Sequence, residues 1–266
     1  MTTDWLGLAG RTCVVTGARG GLGLAISRAF LEAGANVMML DLARGDADEG
    51  VPDALAAYAS QVAFAPVDVG DVASVEAAFA RCVEVVGAPS VLVNNAAMSS
   101  PAPLEALEMD AWQRQMNVNV GGYLRCAQAF RASRAAGAGA IVNIASIAGR
   151  NAQPRSGGYA MGKAAILMLS QQMAVEWGAE GIRTNSVSPG LFRTPLTERF
   201  YEDPQDRARR EEVVPLRRIG AAEELADAVV YLGSARASYV NGAEIIVDGG
   251  FSQTLMSHIP RPYQKG

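Results

Sequence analysis

Short runs of consecutive apolar and β-branched residues alternate along the chain with longer, alanine-rich stretches of helical period. The runs are TCVVTG (12–17), NVMMLD (36–41), VAFAPVDV (62–69), SVLVNNA (90–96), AIVNIAS (140–146), IRTNSVSPG (182–190) and AEIIVDGG (243–250). Each reads as a strand that is apolar throughout rather than on alternate positions. That is the pattern of a parallel sheet covered by helices on both faces. Helical period marks residues 23–34, 72–87, one long helix over about 111–136, and another beginning near Tyr159. One charged segment, TERFYEDPQDRARREEVVPLRR (197–218), interrupts the alternation; it fits either a pair of solvated helices or a mobile flap over a site. Ligands on such sheets bind at the carboxyl ends of the strands, so functional residues are expected just after them.

Composition narrows the class. With 266 residues, 50% hydrophobic and 19% charged, the chain suits one globular α/β domain spanning 1–266. A formal net charge of -4 and a pI near 5.2 lack the basic stripe of a nucleic-acid binder. No run of apolar residues is long enough for a membrane span, and MTTDWLGLAGR lacks the pattern of a signal peptide. Cys13, Cys82 and Cys126 are scattered and in no metal or redox spacing, so reduced thiols, no metal and a cytoplasmic location are expected.

Two stretches carry chemistry. TGARGGLG (16–23) joins the first strand to the first helix. Gly17, Gly21 and Gly23 let the backbone turn tightly and approach a pyrophosphate, which the helix N-terminus would hold. Asp41 closes the second strand eighteen residues beyond Gly23. A carboxylate there accepts hydrogen bonds from a ribose diol and repels a 2′-phosphate, so NAD is expected over NADP. Arg19 and Arg44 argue the other way, since either cation suits a phosphate. Asp68 suits an adenine contact or a turn cap equally. The second stretch, YAMGK, sets Tyr159 and Lys163 four residues apart, hence on one face of a helix.

These motifs, with others in the same order, resemble the short-chain dehydrogenase/reductase family from about Leu8 to Phe251. The family's turn matches Thr16, Gly17, Gly21 and Gly23. Its NNAG motif is Asn94, Asn95, Ala96 and Ala97, with alanine in place of the last glycine. Its asparagine matches Asn119, seven residues after Trp112, and its serine matches Ser146, thirteen residues before Tyr159. Pro189, Gly190 and Thr194 match the turn that contacts the nicotinamide, and the GxxxxVDGG segment ends at Gly250. The resemblance implies a doubly wound, Rossmann-like three-layer sandwich with seven parallel strands, most often a homotetramer, that moves a hydride between nicotinamide C4 and a secondary alcohol or ketone. It implies cofactor contacts from Gly17, Arg19, Gly20, Gly21, Leu22, Gly23, Asp41, Leu42, Asp68, Val69, Asn95, Ala96, Ala97, Tyr159, Lys163, Pro189, Gly190, Phe192 and Thr194.

Catalysis is then expected of Asn119, Ser146, Tyr159 and Lys163. A nearby ammonium and the oxidised nicotinamide would lower the Tyr159 pKa from its free value near ~10, making it a base for the alcohol proton. Ser146 would steady the developing oxyanion, and Asn119 would support a proton route to Lys163. Met98, loop 149–158 and segment 191–218 are expected to line the substrate pocket. Asn151, Gln153 and Arg155 suit a sugar, polyol or hydroxy acid. Leu191, Phe192, Leu196 and Phe200 suit a 3-oxoacyl chain or cyclic ketone instead. A non-catalytic dinucleotide-binding regulator and another Rossmann-like enzyme, such as a methyltransferase, are the remaining alternatives. The tail, 252–266, is either unstructured or reaches a neighbouring subunit.

Overall fold

The structure, a computed structural model, describes residues 4–43, 50–194, 197–198 and 201–259. Arg44, Leu196 and Phe200, and the tail from Pro260 onward, lie outside the described residues.

The seven apolar runs form β1 (Thr12–Thr16), β2 (Asn36–Asp41), β3 (Val62–Pro66), β4 (Val91–Asn94), β5 (Gly139–Ile144), β6 (Ile182–Pro189) and β7 (Glu244–Val247). They build one sheet in the order β3-β2-β1-β4-β5-β6-β7, with every pairing parallel. Strand order reverses between β1 and β4, and all the carboxyl ends share one edge, where a crevice opens. Helices α1 (Gly21–Glu32) and α7 (Ala222–Gly233) cover one face, and α2 (Val72–Val85), α4 (Gly122–Ser133) and α5 (Tyr159–Trp177) the other. β1 and β5 are buried at every position, which is why they read as unbroken apolar runs.

Two expectations change. The single helix over 111–136 is instead α3 (Met109–Met116), a π-helical turn (Asn117–Gly121) and α4. A π turn holds an extra residue per turn, and such turns gather at functional sites. Here it coincides with Asn119, whose side chain leaves the helix to bond the Met98 backbone. The charged segment forms one helix, α6 (Pro204–Val213), rather than a pair. Asp203 caps it by accepting from the Gln205 and Asp206 N–H groups, and none of its residues is buried. Beyond β7, Phe251–His258 form a 3-10 segment without a buried residue.

Candidate active site

The glycine turn is held from both sides. Asn95 Nδ2 donates to the carbonyls of Thr16 (3.1 Å) and Gly17 (2.9 Å), and the Asn95 and Ala96 N–H groups donate to the Thr16 hydroxyl. On the other side the Arg19 N–H donates to Asp41 Oδ2 (2.8 Å) and the Leu42 N–H to Asp41 Oδ1 (2.8 Å). Gly17 has φ +61, a left-handed conformation, and a Cβ on Gly23 would lie 2.1 Å from the Gly17 carbonyl oxygen. The turn therefore admits no side chain at either position. α2 and α6 carry aspartate caps, whereas α1 has Gly20 at its N-cap, hence no capping side chain, and no acid in its first turn. Its leading N–H donors are left for an external anion, as a dinucleotide pyrophosphate requires.

Other expected cofactor residues divide. Gly20, Gly21 and Leu22 sit at the head of α1, and Leu42 is exposed past β2. The Arg19 guanidinium lies 5.2 Å over the Phe64 ring. Asp68 is exposed, and its Oδ1 accepts from the Gly70 N–H, so it closes a turn. Val69 is buried in the core beneath α2 and α4. Ala97, where the motif has glycine, is exposed just past the end of β4. Pro189 ends β6, and the Gly190 N–H donates to the Val247 carbonyl. Phe192 is buried against Gly220; with Leu191, Val214 and Leu216 it lines a cavity of about 100 Å³, separate from Tyr159. Thr194 is tied to Thr197.

Ser146, Tyr159 and Lys163 meet at the end of β5. Ser146 caps a short 3-10 turn by accepting from the Ala148 N–H, and its hydroxyl is near enough to Tyr159 to ease the phenol's ionisation. Tyr159 opens α5, and its preceding turn is fixed by the Gly158 N–H on Gln115 Oε1 (2.8 Å). Lys163, one turn later, is 2% exposed. Its ammonium donates to the Ile144 carbonyl (2.6 Å) and the Tyr123 hydroxyl (3.3 Å), and lies 5.6 Å from the Tyr159 ring centre. Asn119 makes a two-way bond with Met98, accepting from its N–H (2.8 Å) and donating to its carbonyl (2.9 Å).

The electrostatics correct one expectation. Burial raises the Tyr159 pKa, and the Ser146 hydroxyl only partly opposes it. Burial also brings Lys163 down to about 7. The cleft that was expected to lower the phenol through the lysine penalises both charged forms, because dehydration outweighs their proximity. Tyr123 and Gln115 were missed in the sequence. Tyr123 follows Asn119 by four residues, so the helical period alone set both on one face.

A sequence family described as enoyl-(acyl carrier protein) reductase matches residues 17–252. The 2-(R)-hydroxypropyl-CoM dehydrogenase of Xanthobacter autotrophicus is 39% identical over 91% of this chain and 98% of its own length. The chain belongs to the short-chain dehydrogenase/reductase family. Another short-chain dehydrogenase/reductase relative, the cis-4-hydroxycyclohexanecarboxylate dehydrogenase of Sinomonas cyclohexanicum, is also 39% identical, over 92% and 97% of the two chains. A gluconate 5-dehydrogenase of Burkholderia cenocepacia, solved with NADP and tartrate, superposes with a TM-score of 0.86 at 35% identity, over 94% of this chain and 98% of that one. The Rossmann-like reading of the sheet and the family resemblance are thereby borne out.

Proposed function

We propose that the chain is a single-domain NAD-dependent dehydrogenase of a small secondary alcohol that carries a carboxylate. The meeting of Ser146 and Tyr159 at the end of β5, beside the buried Lys163 ammonium, carries this reading. Tyr159 removes the hydroxyl proton in oxidation and returns it in reduction, while Ser146 donates to the same oxygen. Bound NAD would accept the hydride at its nicotinamide ring, held by the α1 donors, Asp41, Lys163 and the Pro189–Gly190 turn. Asn119 fixes the strand-end loop through Met98, next to the pair.

Two of the relatives are named for hydroxy acids, cis-4-hydroxycyclohexanecarboxylate and gluconate. At the expected pocket rim Arg150 is engaged by Glu244, whereas Arg155 has no salt bridge among the described residues. That cation suits a substrate carboxylate. Turnover measured on secondary alcohols with and without a carboxylate, in both directions, tests the substrate class. Tyr159→Phe should lower kcat by roughly a thousandfold and leave dinucleotide affinity within about threefold; retained turnover would show that the base lies elsewhere.

NAD preference rests on Asp41. Each of its oxygens accepts one backbone N–H and keeps a lone pair for a ribose hydroxyl. A 2′-phosphate would forfeit those bonds and face the carboxylate, although the gluconate dehydrogenase holds NADP. We expect kcat/KM to favour NAD by about a hundredfold, near 2.7 kcal/mol, and Asp41→Ala to erase most of that margin. Equal use of NADP by the unaltered protein would end the argument. Met161, Met168 and Val175 form an exposed apolar stripe on α5 at seven-residue spacing. It supports a homotetramer, checked by light scattering, and the three buried free thiols support a cytoplasmic enzyme.

A further inference from the structure

We propose that Tyr123 is a positioning residue for Lys163, its hydroxyl accepting one ammonium hydrogen and its ring closing one side of the cation. Tyr123 lies on α4 and is 1% exposed. Its hydroxyl donates to the Ile144 carbonyl (2.9 Å), so its single hydrogen is committed and a lone pair remains. Lys163 Nζ donates to that lone pair (3.3 Å) and to the same carbonyl (2.6 Å). Hydroxyl, amine and carbonyl thus close a three-membered set of hydrogen bonds. The amine also lies 5.4 Å from the Tyr123 ring centre and 5.6 Å from that of Tyr159, so two aromatic faces hold it.

Tyr123 is itself anchored at its other end. Asn94 Nδ2 donates to its backbone carbonyl (3.2 Å) and to Asn143 Oδ1 (2.9 Å). Asn143 Nδ2 donates to the Ser170 hydroxyl (2.8 Å), which also accepts from Ser186 (2.7 Å). This buried ladder crosses β4, β5 and β6 to α5, the helix that carries Lys163. A purely structural aromatic would need only the Ile144 carbonyl.

The contact favours the charged amine, because the committed phenol offers only a lone pair, which binds a charged N–H more strongly than a neutral one. The titratable groups that face Lys163 are Tyr159 on its own helix and Tyr123 on α4. Burial raises both, so of the three Lys163 alone titrates near neutrality. Among the described residues no carboxylate forms a salt bridge with it. Tyr123 therefore supplies what an acid would otherwise supply.

Lys163 and Lys265 are the only lysines in the sequence. Lysine labelled at Cε consequently gives two side-chain NMR signals, and Lys265→Arg assigns them. The protein without cofactor is titrated, with the Lys163 midpoint expected at about 7. Tyr123→Phe, which keeps the ring, should move that midpoint down by about one unit, a tenfold rise in the acid dissociation constant. The alkaline limb of the kcat profile for alcohol oxidation should move down with it. A changed melting temperature with an unmoved midpoint would mean that Tyr123 only fills space and would overturn the proposal. If Tyr123→Phe does not fold, 3-fluorotyrosine at this position keeps the shape with a weaker acceptor. It should shift the midpoint the same way, and no shift would again overturn the proposal. Only the kinetic arm rests on Tyr159 as the base. An active Tyr159→Phe would defeat that assignment and leave the titration standing, whereas an inactive Tyr159→Phe with an unmoved Lys163 midpoint would defeat Tyr123 alone.

Discussion

Lys163 is buried, no carboxylate among the described residues is salt-bridged to it, and burial pulls its pKa down to about 7. In an unfolded chain a lysine holds its proton until about pH 10.4. Below about pH 7 both states are charged and the folded state carries the full cost of a dehydrated ammonium. Between about 7 and 10 the unfolded state binds more protons, so this cost fades as pH rises. Lys163→Met should accordingly gain most on the parent near pH 6, and its margin should shrink by about 4 kcal/mol towards pH 10, at 1.36 kcal/mol per pKa unit. Urea unfolding of both proteins across that range measures it; a margin independent of pH would show that the amine is well solvated. Turnover should be lost in the same variant, so the residue trades folding stability for function.

Among the elements, the strand–turn–helix unit of β1 and α1 is the most exacting. Gly23→Ala would drive a methyl into the Gly17 carbonyl, with the Ala18 Cα and Asn95 Nδ2 also within 3.0 Å. It should lower dinucleotide affinity at least tenfold and the melting temperature by several degrees; calorimetry and dinucleotide titration check both. This unit was legible in the sequence because glycine spacing and apolar runs are local signals. So were all seven strands and the YxxxK face, set by period alone. The π turn at Asn117–Gly121 was not, since propensity carries α3 smoothly into α4 and only the distant Met98 backbone draws Asn119 aside. Tyr123 was hidden for a related reason. A tyrosine on a helix face looks like core until β5 places the Ile144 carbonyl against it. The phenol pKa went astray because sequence shows the neighbouring charge and not the depth of burial.

At the scale of the molecule, strand order separates two halves with different sequence distances to close. Thr12 pairs with Asn36, but Cys13 pairs with Val91, roughly three times as far along the chain. Closing the longer loop costs about 1 kcal/mol more by chain entropy alone. β1, β2 and β3 are therefore expected to associate early, and β4 with the proton-transfer half to dock later. The Asn95 amide, which straps the Thr16 and Gly17 carbonyls, arrives only with β4. The cradle is therefore expected to be unfinished when the folding barrier is crossed, leaving a dinucleotide little to grip before then. Stopped-flow refolding should run at the same speed with or without NAD, while unfolding slows as NAD rises through its dissociation constant. A cell short of dinucleotide would make the protein as fast as ever and lose it sooner.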